Sequence, residues 1–481
     1  MNDIIVKPNI LKLNIMKMTK NTYLCAMKIF VNKWGNAFAI IIAAMLYSMT
    51  NTQAQDITRT IDNIQSDFSL IQTNYNTDEW IVYNMDDTSS YFGMVNATGT
   101  TTTLVKTGQK LFVKDMEIIS DTLYFCGSIY DSTTGDYNAV MGYFRAVNMT
   151  TSTIRYVQID SLTNLDKISY YKFVTTKHVI MLGIAKNGDN VIVDALHDFQ
   201  ISSTNPNSWR ILWARFQDTH ARFDDIISIG DNVAVSAHIT DFSSFPDTAK
   251  TYLCYIEKNP MINVPFFGTG VAQMQKLGQD IPRPVLLARG KQDTLLAAYI
   301  YSNKLYVAHS LKNSGIVMTK KTSLPYSYSP RIPFYVHNLL GIAHDRSKDR
   351  LGILIELIPT PYPAYYRIYQ YPTSSASFTD LYYNEYKDCT LYSIGNGLNG
   401  HSLCAGKYST GEWGVFHGEY SDPFGNNNLE CATTSIVGYG NATGPYYLSE
   451  DIELSYSEMT RTAEVMPKTN VQATVTTVCN N

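Results

Sequence analysis

Two pairs of adjacent carboxylates, Asp86-Asp87 and Asp224-Asp225, together with Asp194 and Glu356, offer this chain its most direct route to catalysis. Cleavage of a glycosidic bond needs two facing acids, one to protonate the leaving oxygen and one to attack or to activate water. All six residues lie in or near short apolar runs, so the question is whether a fold turns two of them toward one cavity. Acids at the ends of such runs more often form turns or face solvent. Asp131 and Asp136 bracket "STTG" and read as turn formers rather than calcium ligands.

Other chemistries find less support. "GNGLNG" places Gly395, Gly397 and Gly400 in a G-x-G-x-x-G spacing, but a dinucleotide site needs a helix next, and "HSLCAGKY" alternates like a strand. It reads as a hairpin loop. "SYYK" from Ser169 to Lys172 matches S-x-x-K, yet it sits in an alternating run and lacks the companion motifs of penicillin-binding enzymes. "STGEWG" from Ser409 to Gly414 is similar to the turn motif of sialidase propellers, but it lacks the defining Asp and occurs once. No G-x-S-x-G, H-E-x-x-H or P-loop occurs. The histidines at 178, 197, 220, 238, 309, 337, 344, 401 and 417 never pair at i, i+2 or i, i+4. We therefore expect no metal site, no cofactor and no identifiable catalytic residue.

The N-terminal region reads as a targeting segment. Lys28 and Lys33 precede "AFAIIIAAMLYSM", from Ala37 to Met49, and Thr52-Gln53-Ala54 then offers a small-residue cleavage site. The apolar run is short for a bilayer span. We therefore expect residues 1–54 to be a signal-peptide region, with Met1 or Met27 as its start, and residues 55–481 to be the mature domain, secreted or in the cell envelope. Losing residues 1–54 removes six lysines and one aspartate, leaving 32 basic and 41 acidic residues and a net charge of −9. With no basic cluster, the chain is a poor nucleic-acid binder.

Six cysteines follow the leader: Cys126, Cys254, Cys389, Cys404, Cys431 and Cys479. Oxidation is permitted in an exported protein. "GNGLNG" falls between Cys389 and Cys404, and a hairpin turning about residues 396 and 397, equidistant from the two, would oppose them in a cross-strand disulfide.

What would position these residues is a repeat. From Asp115 to Asp160 four apolar runs separated by turns follow one another: "DMEIIS", "TLYFCGSIYD", "AVMGYFRAV" and "TIRYVQID". Similar groups recur, with first strands centred near residues 116, 170, 226, 286, 340 and 391. An earlier unit, "WIVYNM" and "YFGMVNA", has no obvious first strand. Evenly spaced short strands without 3.6-residue periodicity favour an all-β fold, a β-propeller of about seven four-stranded antiparallel blades, with six or eight as the alternatives. Inner strands apolar on both faces suit blades packed between two neighbours. Residues 421–481 hold further strand-like runs, and one of them is expected to supply a strand missing from the first or last blade, so that residues 55–481 close as one domain. The 35 tyrosines fit strand propensity first and stacking platforms for sugars second.

The run Asp115–Phe144, with its acid, "DTLYFCGS" and "MGYF", resembles a large group of uncharacterised exported propeller-like proteins from Gram-negative gut and oral bacteria. The resemblance implies a propeller and no activity, because propellers host both enzymes and binding modules. There is no Gly-Gly doublet of kelch type and no strand-ending Trp-Asp of WD40 type. The first expectation is an exported, non-catalytic module that binds a glycan or protein through blade loops or a central channel and does not span a membrane. The alternative is a glycan-active hydrolase or lyase with channel-facing carboxylates. A third reading is a structural envelope component.

Overall fold

The computed structural model describes residues 57–74, 79–96, 101–119, 121–173, 176–196, 209–215, 221–229, 232–241, 248–256, 273–279, 284–291, 294–301, 304–310, 318–324, 336–345, 349–358, 364–373, 381–386, 389–396, 401–419, 432–437, 440–442, 453–458, 461–472 and 475–480. One compact unit runs from Asp56 to Asn481. The expected leader and its cleavage site lie outside the described residues.

Among the described residues, thirty-four strands fall into seven antiparallel sheets. The first strand, β1 (Ile57–Gln65), belongs to the last sheet. The first sheet is β2 (Phe68–Asn74), β3 (Glu79–Met85), β4 (Ser90–Asn96) and β5 (Thr101–Thr107). The second is β6 (Leu111–Ile119), β7 (Thr122–Asp131), β8 (Asp136–Arg145) and β9 (Ile154–Ile159). The third is β10 (Leu162–Phe173), β11 (Thr176–Ala185), β12 (Asn190–Leu196) and β13 (Trp209–Arg215). The fourth is β14 (Ala221–Ile229), β15 (Asn232–Asp241), β16 (Thr248–Ile256) and β17 (Gln273–Gln279). The fifth is β18 (Val285–Arg289), β19 (Leu295–Tyr301), β20 (Lys304–Ser310) and β21 (Met318–Leu324). The sixth is β22 (Val336–Asp345), β23 (Arg350–Leu357), β24 (Tyr365–Pro372) and β25 (Leu381–Tyr386). The seventh is β26 (Cys389–Asn396), β27 (His401–Tyr408) and β28 (Glu412–Glu419), with β1 as its fourth strand.

The anticipated first strands near 116, 170, 226, 286, 340 and 391 are β6, β10, β14, β18, β22 and β26. The unit lacking a first strand obtains it from β2, "FSLIQTN". The strand missing from the seventh sheet comes from β1, not from the C-terminal tail, and this corrects the expectation for residues 421–481. The tail instead contributes fifth strands. It runs back through the sheets as β29 (Ala432–Val437) on β25, β30 (Gly440–Ala442) on β21 and β31 (Glu453–Glu458) on β13. It continues as β32 (Arg461–Met466) on β9, β33 (Lys468–Val471) on β5 and β34 (Val475–Asn480) on β1.

Each first strand packs against the first strand of the next sheet, and β26 packs against β2. The cores lie between successive sheets. Tyr83 and Phe92 of the first meet Phe125 and Phe144 of the second, and Trp413 and Leu403 of the seventh meet Trp80 and Val82 of the first. A sheet covered on both faces needs apolar residues at odd and even positions alike, which is why "LYFCGSI" in β7 is buried throughout.

The Cys389–Cys404 hairpin is not centred where expected. Asn396 pairs with Ser402 and Ile394 with Cys404, whereas Cys389 pairs with Tyr408. The register therefore differs from the expected one, and the ladder slips between Leu391 and Ser393. Four rows separate the two cysteines, roughly 13 Å of strand, beyond disulfide reach. Cys126 and Cys404 are buried free thiols, and Cys389 is half-buried. Cys254, Cys431 and Cys479 have no described side chains.

Candidate functional site

A cavity of about 380 Å³ is lined by residues from the first strand of every sheet, β2, β6, β10, β14, β18, β22 and β26. Its shape follows from a recurring local feature. In five of these strands the ladder to the second strand slips by one residue, at Lys114, Asp166, Asp224, Leu340 and Tyr392. A bulge re-aims the side chain that follows it. The residues after the bulges are Asp115, Lys167, Asp225, Gly341 and Ser393, and all five line the cavity.

In three successive sheets this position is charged, in the order Asp115, Lys167, Asp225. Asp115 accepts hydrogen bonds from its neighbour Met116 N (3.0 Å) and from Ile168 N of the next sheet (3.1 Å). Asp225 repeats the pattern two sheets further on, accepting from Ile226 N (2.9 Å) and Leu287 N (2.7 Å). Beside it, Asp224 accepts from Val285 N at 3.3 Å. A first strand has a ladder partner along one edge only, and a carboxylate from the preceding sheet supplies acceptors on the other. Burial pushes Asp225 up to about 6, opposed by the charge of Lys167. Burial also raises Asp115 against the pull of Lys167. Burial works against the Lys167 ammonium, but Asp115 and Asp225 outweigh it and hold the group above the usual lysine range.

Further along the cavity Arg289 reaches back one sheet. It donates from Nε and Nη2 to Ser228 O (2.9 and 2.6 Å) and from Nη2 to Ser228 Oγ (2.6 Å), and its guanidinium lies 5.9 Å from the Tyr170 ring centroid. Ser228 Oγ donates in turn to Tyr170 O. Gln72 Nε2 donates to Glu117 Oε2 at 3.2 Å, linking the first and second sheets. Lys114, Ser169, His344, Tyr392 and Ser393 add further polar groups to the lining.

The carboxylates singled out in the sequence scatter. Of the six, Asp225 alone lines the cavity. Asp86 closes a turn, accepting from Thr88 N (2.7 Å) and Ser89 N (2.6 Å), and Asp87 lies in the same turn. Asp194 is buried against His178 at 3.0 Å between β12 and β11. Glu356 accepts from Asn338 (2.6 Å) and Tyr366 (3.0 Å) on the sixth sheet. Asp131 accepts from Thr133 N at 2.8 Å, as turn chemistry requires. Ser169 lines the cavity, and Lys172 follows on the same strand without a described side chain. His344 meets Asp349 at 3.2 Å in the turn between β22 and β23. Among the described residues no group of three or more His, Cys, Asp or Glu could hold a metal ion. Asp115, Lys167 and Arg289 were not singled out. Their only sequence signal is the recurrence of a charged residue just before the apolar half of successive first strands: "KDMEII", "DKISYY" and "DDIISI".

No family model matches the chain, and no curated protein matches it. Among solved structures, Semaphorin 2a of Drosophila is similar at 9% identity, with a TM-score of 0.44 over 76% of this chain and 75% of that one.

Proposed function

We propose that residues 55–481 form a closed seven-bladed propeller that is exported and acts as a non-catalytic binding module, taking a polar ligand, a glycan in the first instance, at its central cavity. Seven sheets whose first strands touch in cyclic order, β26 against β2 included, support the ring. The observation that carries the binding reading is how the cavity carboxylates are used. Asp115 and Asp225 each accept from two backbone amides on two sheets and share Lys167, so both act as staples between blades. A glycosidase pair needs one acid aimed at a leaving oxygen and one at the sugar carbon or its water, whereas each oxygen of Asp115 and Asp225 already accepts a backbone amide. The remaining lining mixes hydrogen-bonding groups and ring faces, and its volume falls in the range of small-molecule sites.

The test is a binding screen of the mature chain against oligosaccharides and short peptides, run beside a reducing-sugar assay. A ligand whose affinity falls about tenfold or more in Gln72→Ala/Glu117→Ala, with no sugar released, fits the proposal. Sugar release that disappears in Asp115→Asn or Asp225→Asn would replace it with the hydrolase.

A further inference from the structure

We propose that the C-terminal tail is a strap, laid over the outside of the ring after the blades have formed and fastened by the β1–β34 pair. Chain order points this way. Residues 57–419 build the sheets in sequence, and the tail then retraces them backwards, visiting the sixth, fifth, third, second, first and seventh. Every tail strand pairs antiparallel with the outermost strand of its sheet. Outer strands left open would present rows of unpaired amides to other chains, and the strap covers six such edges.

Between residues 464 and 472 the tail is held by backbone pairing and by hydrogen bonds from Tyr156 Oη to Glu464 and from Lys468 Nζ to Met149 O, more than by apolar burial. Among its described side chains Met466 is buried, Val471 is partly buried against the core, and Glu464 and Val465 are exposed. Segments held by ladder hydrogen bonds with little apolar contact open at lower free energy than the cores they cover. The fastening is different. β1 lies between β28 and β34, Ile57 pairs with Asn480, and Ile61 pairs with Val475. Ile61 and Ile64 are buried beside Trp80 and Trp413. β34 thus grips the strand that closes the ring, and β1 cannot be paired on both edges until residues 475–480 are in place.

Thr58 and Cys479 are opposed in this register, which gives a direct lock. Opposed residues in an antiparallel pair have Cα atoms about 4.5–5.5 Å apart, within disulfide range. Hydrogen exchange on the intact mature chain should show the amides of β29–β33 exchanging together, at least tenfold faster than those of β7, β11 and β19. In oxidised Thr58→Cys the cross-link to Cys479 should form, and exchange in β33 and β34 should slow about tenfold, returning to the parent rate on reduction. Tail amides as protected as the second strands of the blades, a cross-link that leaves β33 and β34 unchanged, or no cross-link under oxidant would each overturn the strap.

Discussion

Lys167 stands between two carboxylates from the blades on either side, and its removal is the sharpest probe of the cavity. Lys167→Met leaves Asp115 and Asp225 without their counter-charge, and breaking such a buried arrangement costs roughly 3 kcal/mol or more. Urea unfolding should show that loss, while Lys114→Met, on an exposed bulge residue, should stay within about 0.5 kcal/mol of the parent. The pH dependence has a definite sign. Because burial raises Asp225 to about 6, the folded protein binds its proton more readily than the unfolded chain does between about pH 4 and 6. Stability from this group therefore rises as pH falls from 7 toward 5. Asp115 is shifted the same way and adds to the trend, while Lys167 stays charged throughout. Melting temperatures from pH 5 to 8 should show the rise, and Asp225→Asn should flatten it; a variant with the parent's slope would remove Asp225 from the explanation. Asp225 was legible in the sequence as an acid in a first strand. Its partners were not, because three bulges on three different strands are needed to bring them together, and a bulge leaves no mark in an apolar pattern.

At the scale of elements the bulges have a second consequence. Where β6, β10 and β26 slip, the backbone leans onto the second strand, and the opposed residue there is glycine each time: Gly127, Gly183 and Gly406. A Cβ on Gly127 would lie 1.9 Å from Phe112 O, and one on Gly406 would lie 2.2 Å from Thr390 O. These contacts are with backbone, so Gly127→Ala must displace the strand that carries Asp115, at a cost of roughly 3 kcal/mol. Gly135 makes a useful control, since it has a φ of +77° and nothing within 4 Å of an added Cβ. Gly135→Ala should cost only about 1 kcal/mol, from backbone conformation alone. Equal losses in chemical unfolding would mean that close approach is not what Gly127 provides. The 50–60-residue recurrence located six of the seven first strands because their second and third strands are apolar on both faces. β1 and β2, "ITRTIDNIQ" and "FSLIQTN", mix polar residues throughout and gave no comparable signal. Cys389 and Cys404 were misplaced for a related reason: Asn396 pairs with Ser402 and the bulge at Tyr392 shifts the register again, neither of which a midpoint between two cysteines can reveal.

At the scale of the whole molecule, β1 completes the seventh sheet, and the expected leader cleavage lies just ahead of it. The cleavage expected after Ala54 leaves Gln55 and Asp56 ahead of Ile57, so the whole of β1 is kept. Cutting a few residues later would remove Ile57 and Thr58, which pair with Asn480 and Cys479. Cutting past Ile61 would also remove a buried side chain packed with Trp80 and Trp413 and take away pairing from β28 and β34 alike. The expected cleavage after Ala54 would therefore spare every pairing that β1 makes. Mass spectrometry of protein recovered outside the inner membrane should find Gln55, or a residue within one or two of it, at the N-terminus. A chain starting instead at Ile64 should lose several kcal/mol, since it gives up both the apolar burial of Ile61 and most of the fourth strand of the seventh sheet. Intact Met27 on exported protein would show that the leader is not removed. A mature N-terminus beyond Ile61 on a fully stable protein would show that the ring does not depend on β1.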